Sequence, residues 1–159
     1  MIFVTVGSQK FQFDRLLEEI DRLIDVNVIE EKVFAQTGCS NYVPKNYSYK
    51  QFVDRDEFGE YVDEADIVIT HGGTGVIVSS IKKGKKVIAV PRLSKYKEHV
   101  DNHQRQIIEQ FKEQNLIMGL GDCEELENAI KEIKNKEFNK YASNTEKYIR
   151  NISEYIDGL

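Results

Sequence analysis

Short apolar, β-branched runs alternate with segments of helical period along nearly the whole chain. That alternation restricts the fold more than any other feature. Residues 2–6 (IFVTV), 32–36 (KVFAQ), 47–53 (YSYKQFV), 66–70 (DIVIT), 86–90 (KVIAV) and 116–120 (LIMGL) read as strands. Between the first two, Phe13, Leu16, Leu17, Ile20, Leu23 and Ile24 recur at helical spacing and predict a helix over 13–26. Further helices are predicted over 56–64, 74–83, 101–114 and 124–134, and the tyrosine-rich tail over 138–156 is also helical in pattern. Strands alternating with helices at short intervals predict a parallel sheet covered on both faces. The expected fold is α/β, a Rossmann-like doubly wound sheet of about six strands, with residues 1–137 as the domain and 138–159 as a helical tail that contacts a partner.

One junction stands out. THGGTG, at 70–75, follows an apolar strand and places three of the chain's ten glycines in four residues. Open sheets of this kind bind ligands beyond the carboxyl ends of their strands. Helix amides there lack internal partners and carry partial positive charge, and glycines let a phosphate approach them closely. Gly72, Gly73 and Gly75, with Thr74 as a hydroxyl donor, are therefore candidates for a diphosphate cradle. A tight strand-to-helix turn with no ligand is the competing reading. No GxxxxGK[ST] is present, and the first strand is followed by VGSQKFQF with a single glycine, so neither a P-loop nor a dinucleotide fingerprint is formed. Gly7 and Ser8 can still supply a second backbone cradle facing the first.

The three histidines fall at two places: His71 borders the glycine turn, and His99 and His103 lie in KEHVDNHQRQ. Four residues apart on a helix means one face, which suits a metal pair. HVDNH lacks the glutamate of the zinc-protease motif and no third ligand follows, so no metal is assigned. Glu98, His99, Asp101, Asn102, His103 and Gln104 instead form a polar cluster suited to a hydroxyl-rich sugar. The plainer alternative is a polar helix start capped by Asp101 or Asn102.

Composition narrows the class. A net charge of −5 argues against general nucleic-acid binding, and the apolar runs are too short to cross a bilayer. Cys39 and Cys123 are far apart and outside any CxxC pair, and the amino terminus opens a strand instead of a signal peptide, so a cytoplasmic location is expected.

IFVTVGSQKFQFDRLLEEID, DIVITHGGTGVIVSSIKKGKKVIAVPR and KEHVDNHQRQ together resemble the C-terminal half of family 28 glycosyltransferases, most closely the stand-alone chains of split, two-subunit enzymes. Those include the transferase of the second N-acetylglucosamine on the dolichol-linked sugar and bacterial capsule and exopolysaccharide transferases. The resemblance implies one half of a GT-B fold that binds a UDP-sugar, needs no cofactor, and transfers a hexose to a lipid-linked acceptor. It also implies a membrane-associated, acceptor-binding partner that brings the chain to the cytoplasmic face and supplies the general base. Carried over residue by residue, Gly7, Ser8 and Gln9 and the run His71, Gly72, Gly73, Thr74 and Gly75 face the diphosphate. His103 and Gln104 contact the donor hexose, with His99 and Asp101 as further candidates in the same block. Single-chain members often place an acid inside the following helix for the ribose; Ser79 stands there in this chain. A serine cannot accept from two hydroxyls as a carboxylate can. A non-catalytic accessory subunit is the alternative function.

Overall fold

The computed structural model describes residues 1–99 and 102–141. Strands β1 (Ile2–Thr5), β2 (Val33–Gln36), β3 (Ser48–Lys50), β4 (Ile67–Thr70), β5 (Lys86–Ala89) and β6 (Met118–Gly119) form one sheet. Its order is β3-β2-β1-β4-β5-β6, and every pairing is parallel. The helices are α1 (Asp14–Asp25), α2 (Arg55–Glu64), α3 (Thr74–Lys82), α4 (His103–Glu113) and α5 (Leu126–Ile133). The doubly wound α/β expectation is met, with six strands in the sheet.

Period-two side-chain alternation divides the core into two layers. Ile2, Val4, Ile67, Ile69 and Ile88 face α1 and α5, meeting Leu16, Leu17, Ile20, Ala129 and Ile130. Phe3, Val68, Val87 and Ala89 face the other way, onto Val62 of α2, Ile77 and Ile81 of α3, and Ile108 and Phe111 of α4. The strand order turns back between β1 and β4, where Thr5 is in register with Thr70. The carboxyl ends of these two central strands therefore open on a common crevice.

Several elements depart from expectation. The third strand shrinks from 47–53 to Ser48–Lys50, an exposed edge. Its neighbour is held instead by side chains of α1. Asp14 accepts from the amides of Asn41 and Tyr42, and buried Asp21 accepts from the Tyr42 hydroxyl and the amides of Lys45 and Asn46. α4 begins at His103, two residues later than predicted, with Asn102 at the N-cap position but without a side-chain cap bond. The Asn102 Oδ1 accepts from the Ser94 amide and hydroxyl, so its side chain is committed to the preceding loop. Of the predicted tail helix, residues 138–141 are non-helical: the Asn139 amide donates to the Asn115 carbonyl, and Phe138 and Tyr141 pack on the two core layers. The rest of that helix lies outside the described residues. Among the described residues no helix is long and apolar enough to cross a membrane.

Candidate functional site

The glycine turn and the loop after β1 meet through one imidazole. Gly7 has φ +79°, and a Cβ there would lie 2.8 Å from His71 Cε1. A Cβ on Gly73 would lie 2.7 Å from His71 Nε2. The ring is thus clamped between two residues that only glycine can supply without displacement. Gly72 packs against the first turn of α4, where a Cβ would sit 2.7 Å from the Gln104 Cβ. Gly75 opens onto free space. Two glycines of the run therefore serve internal packing, and the third leaves the start of α3 uncovered. Gly73 is the N-cap residue of α3 and no side chain caps its first turn, which keeps that helix end available to an anion.

His71 is buried, with Nδ1 3.3 Å from the Thr70 hydroxyl. Burial, reinforced by the Arg92 charge, pulls its pKa down to about 3. The imidazole is neutral at physiological pH and spaces the two loops without adding charge.

The third motif block joins the same region. His99 packs on Phe11 at a tilt of 38°, with ring centroids 4.5 Å apart. Gln104 is buried, and its Oε1 accepts from the Arg92 amide at 3.0 Å. Buried Glu98 receives a two-pronged contact from Arg15, through Nε and Nη2 at 3.0 Å each, and a third bond from the Leu93 amide. Arg15 also pairs with Asp122. This network fixes the 92–99 loop against α1.

The structure accordingly brings Gly7, His71, Gly72, Gly73, His99 and Gln104 together, with Thr74 opening α3 and His103 opening α4. Ser8 and Gln9 are exposed on the same loop. His99 and His103 do not share a helix face, because His99 precedes the helix, so the helical metal pair is not formed. Ser79 turns its hydroxyl back onto the Val76 carbonyl at 3.1 Å, inside α3. Asp101 lies outside the described residues.

A feature absent from the sequence reading is a cleft of about 280 Å³ beside these loops. Thr5, Gly7, Ser8, Gln36, Asp54 and Arg55 supply its polar lining; Val53, Phe58 and Val76 supply the apolar part. Gln36 is only 5% exposed; its Nε2 donates to the Gly7 carbonyl, while Oε1 has no hydrogen-bond partner among the described residues. The usable signal was a glutamine ending an otherwise apolar interior strand. Two larger hollows, about 450 and 640 Å³, lie around Lys85 and Lys86 at the amino end of the sheet. Ligands of open α/β sheets bind at the carboxyl ends, so the smaller cleft is the relevant one.

An open parallel sheet with a glycine-clamped crevice at its switch point is the architecture of a nucleotide-binding α/β domain. Residues 1–157 match the family model of the glycosyltransferase family 28 C-terminal domain, and the chain belongs to that family. It is 36% identical over 93 residues to the UDP-N-acetylglucosamine transferase subunit ALG13 of Kluyveromyces lactis, covering 55% of this chain and 45% of that one. The human protein of the same description is 28% identical over 119 residues, covering 69% of this chain and 10% of that one. The chain thus spans less than half of these relatives. Among solved structures it resembles the glycotransferase of kitacinnamycin (TM-score 0.60, 14% identity, 99% of this chain and 39% of that one). It also resembles CalG4, the calicheamicin glycosyltransferase (TM-score 0.60, 15% identity, 98% and 38%). The shared fold is one half of a GT-B architecture.

Proposed function

We propose that this chain is the donor-binding subunit of a two-component inverting glycosyltransferase that uses UDP-N-acetylglucosamine. The observation that carries the reading is the His71 clamp. It holds the loop of Gly7 and the uncapped start of α3 side by side at the switch point, in a chain of this family. The relatives' description as UDP-N-acetylglucosamine transferase subunits supports the choice of donor over a generic hexose. In this reading the amides of residues 7–9 and 74–76 stabilise the negative charge that develops on the leaving diphosphate. The cleft beside Gln36 takes the nucleoside, and His99, His103 and Gln104 face the hexose. The relatives' description as transferase subunits supports a partner that completes the enzyme. That partner would be membrane-associated, would bind a lipid-linked acceptor and would carry the base that deprotonates it.

Thermal unfolding of the chain with UDP, ADP and GDP tests this. A ligand at a hundred times its Kd adds roughly 2.7 kcal/mol, a melting shift on the order of 5–10 °C. Stabilisation by UDP over ADP and GDP, and by UDP-N-acetylglucosamine over UDP-glucose, is expected; equal or absent shifts would defeat it. One observation favours a non-catalytic accessory subunit instead: Ser79 spends its hydroxyl within α3, leaving no side chain there to grip a ribose. A folded chain that enhances a partner's transfer without binding UDP would establish that reading.

A further inference from the structure

Arg92 is fully buried, yet among the described residues it pairs with no carboxylate. Its guanidinium reaches into the loop between β1 and α1. Nη2 donates to the Val6 carbonyl at 2.5 Å and the Phe11 carbonyl at 3.0 Å, and Nε donates to the Gln12 carbonyl at 3.4 Å. The Phe13 ring lies 5.5 Å from the guanidinium carbon. Nη1 is buried with no hydrogen-bond partner among the described residues. Removing a guanidinium from water is costly, and here only backbone carbonyls and an aromatic ring repay it. Burial lowers its pKa to about 10, which leaves it charged at neutral pH.

The carbonyls Arg92 holds bracket the stretch that needs holding. Val6 precedes Gly7, and Phe11 and Gln12 follow the exposed residues 8–10. Drawing both ends of this loop inward onto one rigid fork fixes its span. Loops that bind through backbone amides depend on such support. The Arg92 amide meanwhile donates to Gln104, and the adjacent Leu93 amide donates to Glu98. One residue therefore links the loop after β1 to the start of α4. Glu98, held by Arg15, is the carboxylate whose charge acts on Arg92 from the far end of the same loop.

We infer that Arg92 is a positioning residue, whose fork holds the 7–12 loop in the conformation that receives the donor's diphosphate and whose buried charge biases that crevice toward anions. The inference rests on the donor-site reading above. A lysine offers a point charge in place of a planar fork and cannot hold carbonyls at both ends of the loop. Arg92→Lys and Arg92→Met are compared with the unaltered full chain in two measurements: amide hydrogen exchange, and titration with UDP and with uridine. The expected result is faster exchange confined to residues 7–12, with α5 unchanged, and UDP affinity lowered roughly tenfold or more while uridine affinity stays within twofold. Unchanged exchange in the loop, or equal losses for UDP and uridine, would overturn the inference. Failure of both variants to fold would overturn it too, because Arg92 would then belong to the core and not to the loop. If the unaltered chain binds no UDP, the donor reading itself fails and the diphosphate role falls with it, while the exchange measurement still shows whether Arg92 holds the loop.

Discussion

The His71 imidazole occupies the space that a Cβ on Gly7 would need, with Cε1 2.8 Å from that position. The first and second motif blocks, separated by most of the sheet in sequence, are thus fitted to each other at atomic contact. Substituting Gly7→Ala imposes both this clash and a side chain at φ +79°. The expected cost is about 2 kcal/mol of stability, read from denaturant unfolding, with displacement of the loop that follows. A variant as stable as the parent would mean that His71 has room to move and that the clamp is loose.

His71 also sets a pH dependence. Its folded-state pKa of about 3 lies below the ordinary histidine value of 6.5. The unfolded chain therefore takes up the proton first. The contribution of the neutral ring is complete above 6.5 and is lost as pH falls toward 3, at roughly 1.4 kcal/mol per pH unit. Between about pH 6.5 and 5, above the carboxylate range, His71 should dominate the slope. His71→Asn should flatten that limb. Parallel stability curves for the two proteins across this interval would show that the histidine is not desolvated as the structure has it.

The central features were legible because they depend on local pattern. Residues 67–69 are apolar on both faces and a glycine run follows closely, so β4 and the start of α3 could be read directly. β3 was found within 47–53 but its bounds were not, because its three residues are exposed and the segment before it is held by distant bonds from Asp14 and Asp21 of α1. The start of α4 was placed two residues early; Asn102 holds the N-cap position, but its side chain is drawn to Ser94 by tertiary geometry. Arg92 was hidden by its own chemistry. An arginine after a proline at a strand end reads as solvent-facing, and only the fold reveals three carbonyls turned toward it.

Gln36 offers a separation of stability from binding. Its Oε1 is buried without a partner among the described residues, and its Nε2 contact with Gly7 is long at 3.4 Å. An unsatisfied buried acceptor usually costs about 1–3 kcal/mol. Gln36→Leu should therefore leave stability unchanged or raise it by about 1 kcal/mol. If the cleft takes the nucleoside, the same variant should bind UDP roughly tenfold more weakly. Unchanged affinity by calorimetry would move the nucleoside out of this cleft.

Glu98 should behave oppositely, as a residue of stability first. Its carboxylate is 1% exposed and satisfies both Arg15 nitrogens and the Leu93 amide, and Arg15 reaches on to Asp122. Glu98→Gln keeps the shape but removes the charge, so one prong of the Arg15 contact becomes an N–H facing an N–H. The cost should be about 2 kcal/mol, because Arg15 loses its buried partner and keeps only Asp122. Buried pairs are screened little by salt, so the loss should persist at high ionic strength, unlike that of an exposed pair such as Lys131–Glu127. Chemical denaturation by urea, which adds no ionic strength, at low and high sodium chloride distinguishes these. A difference between parent and variant that vanishes in salt would place Arg15 and Glu98 in solvent, and the 92–99 loop would then lack the anchor described for it.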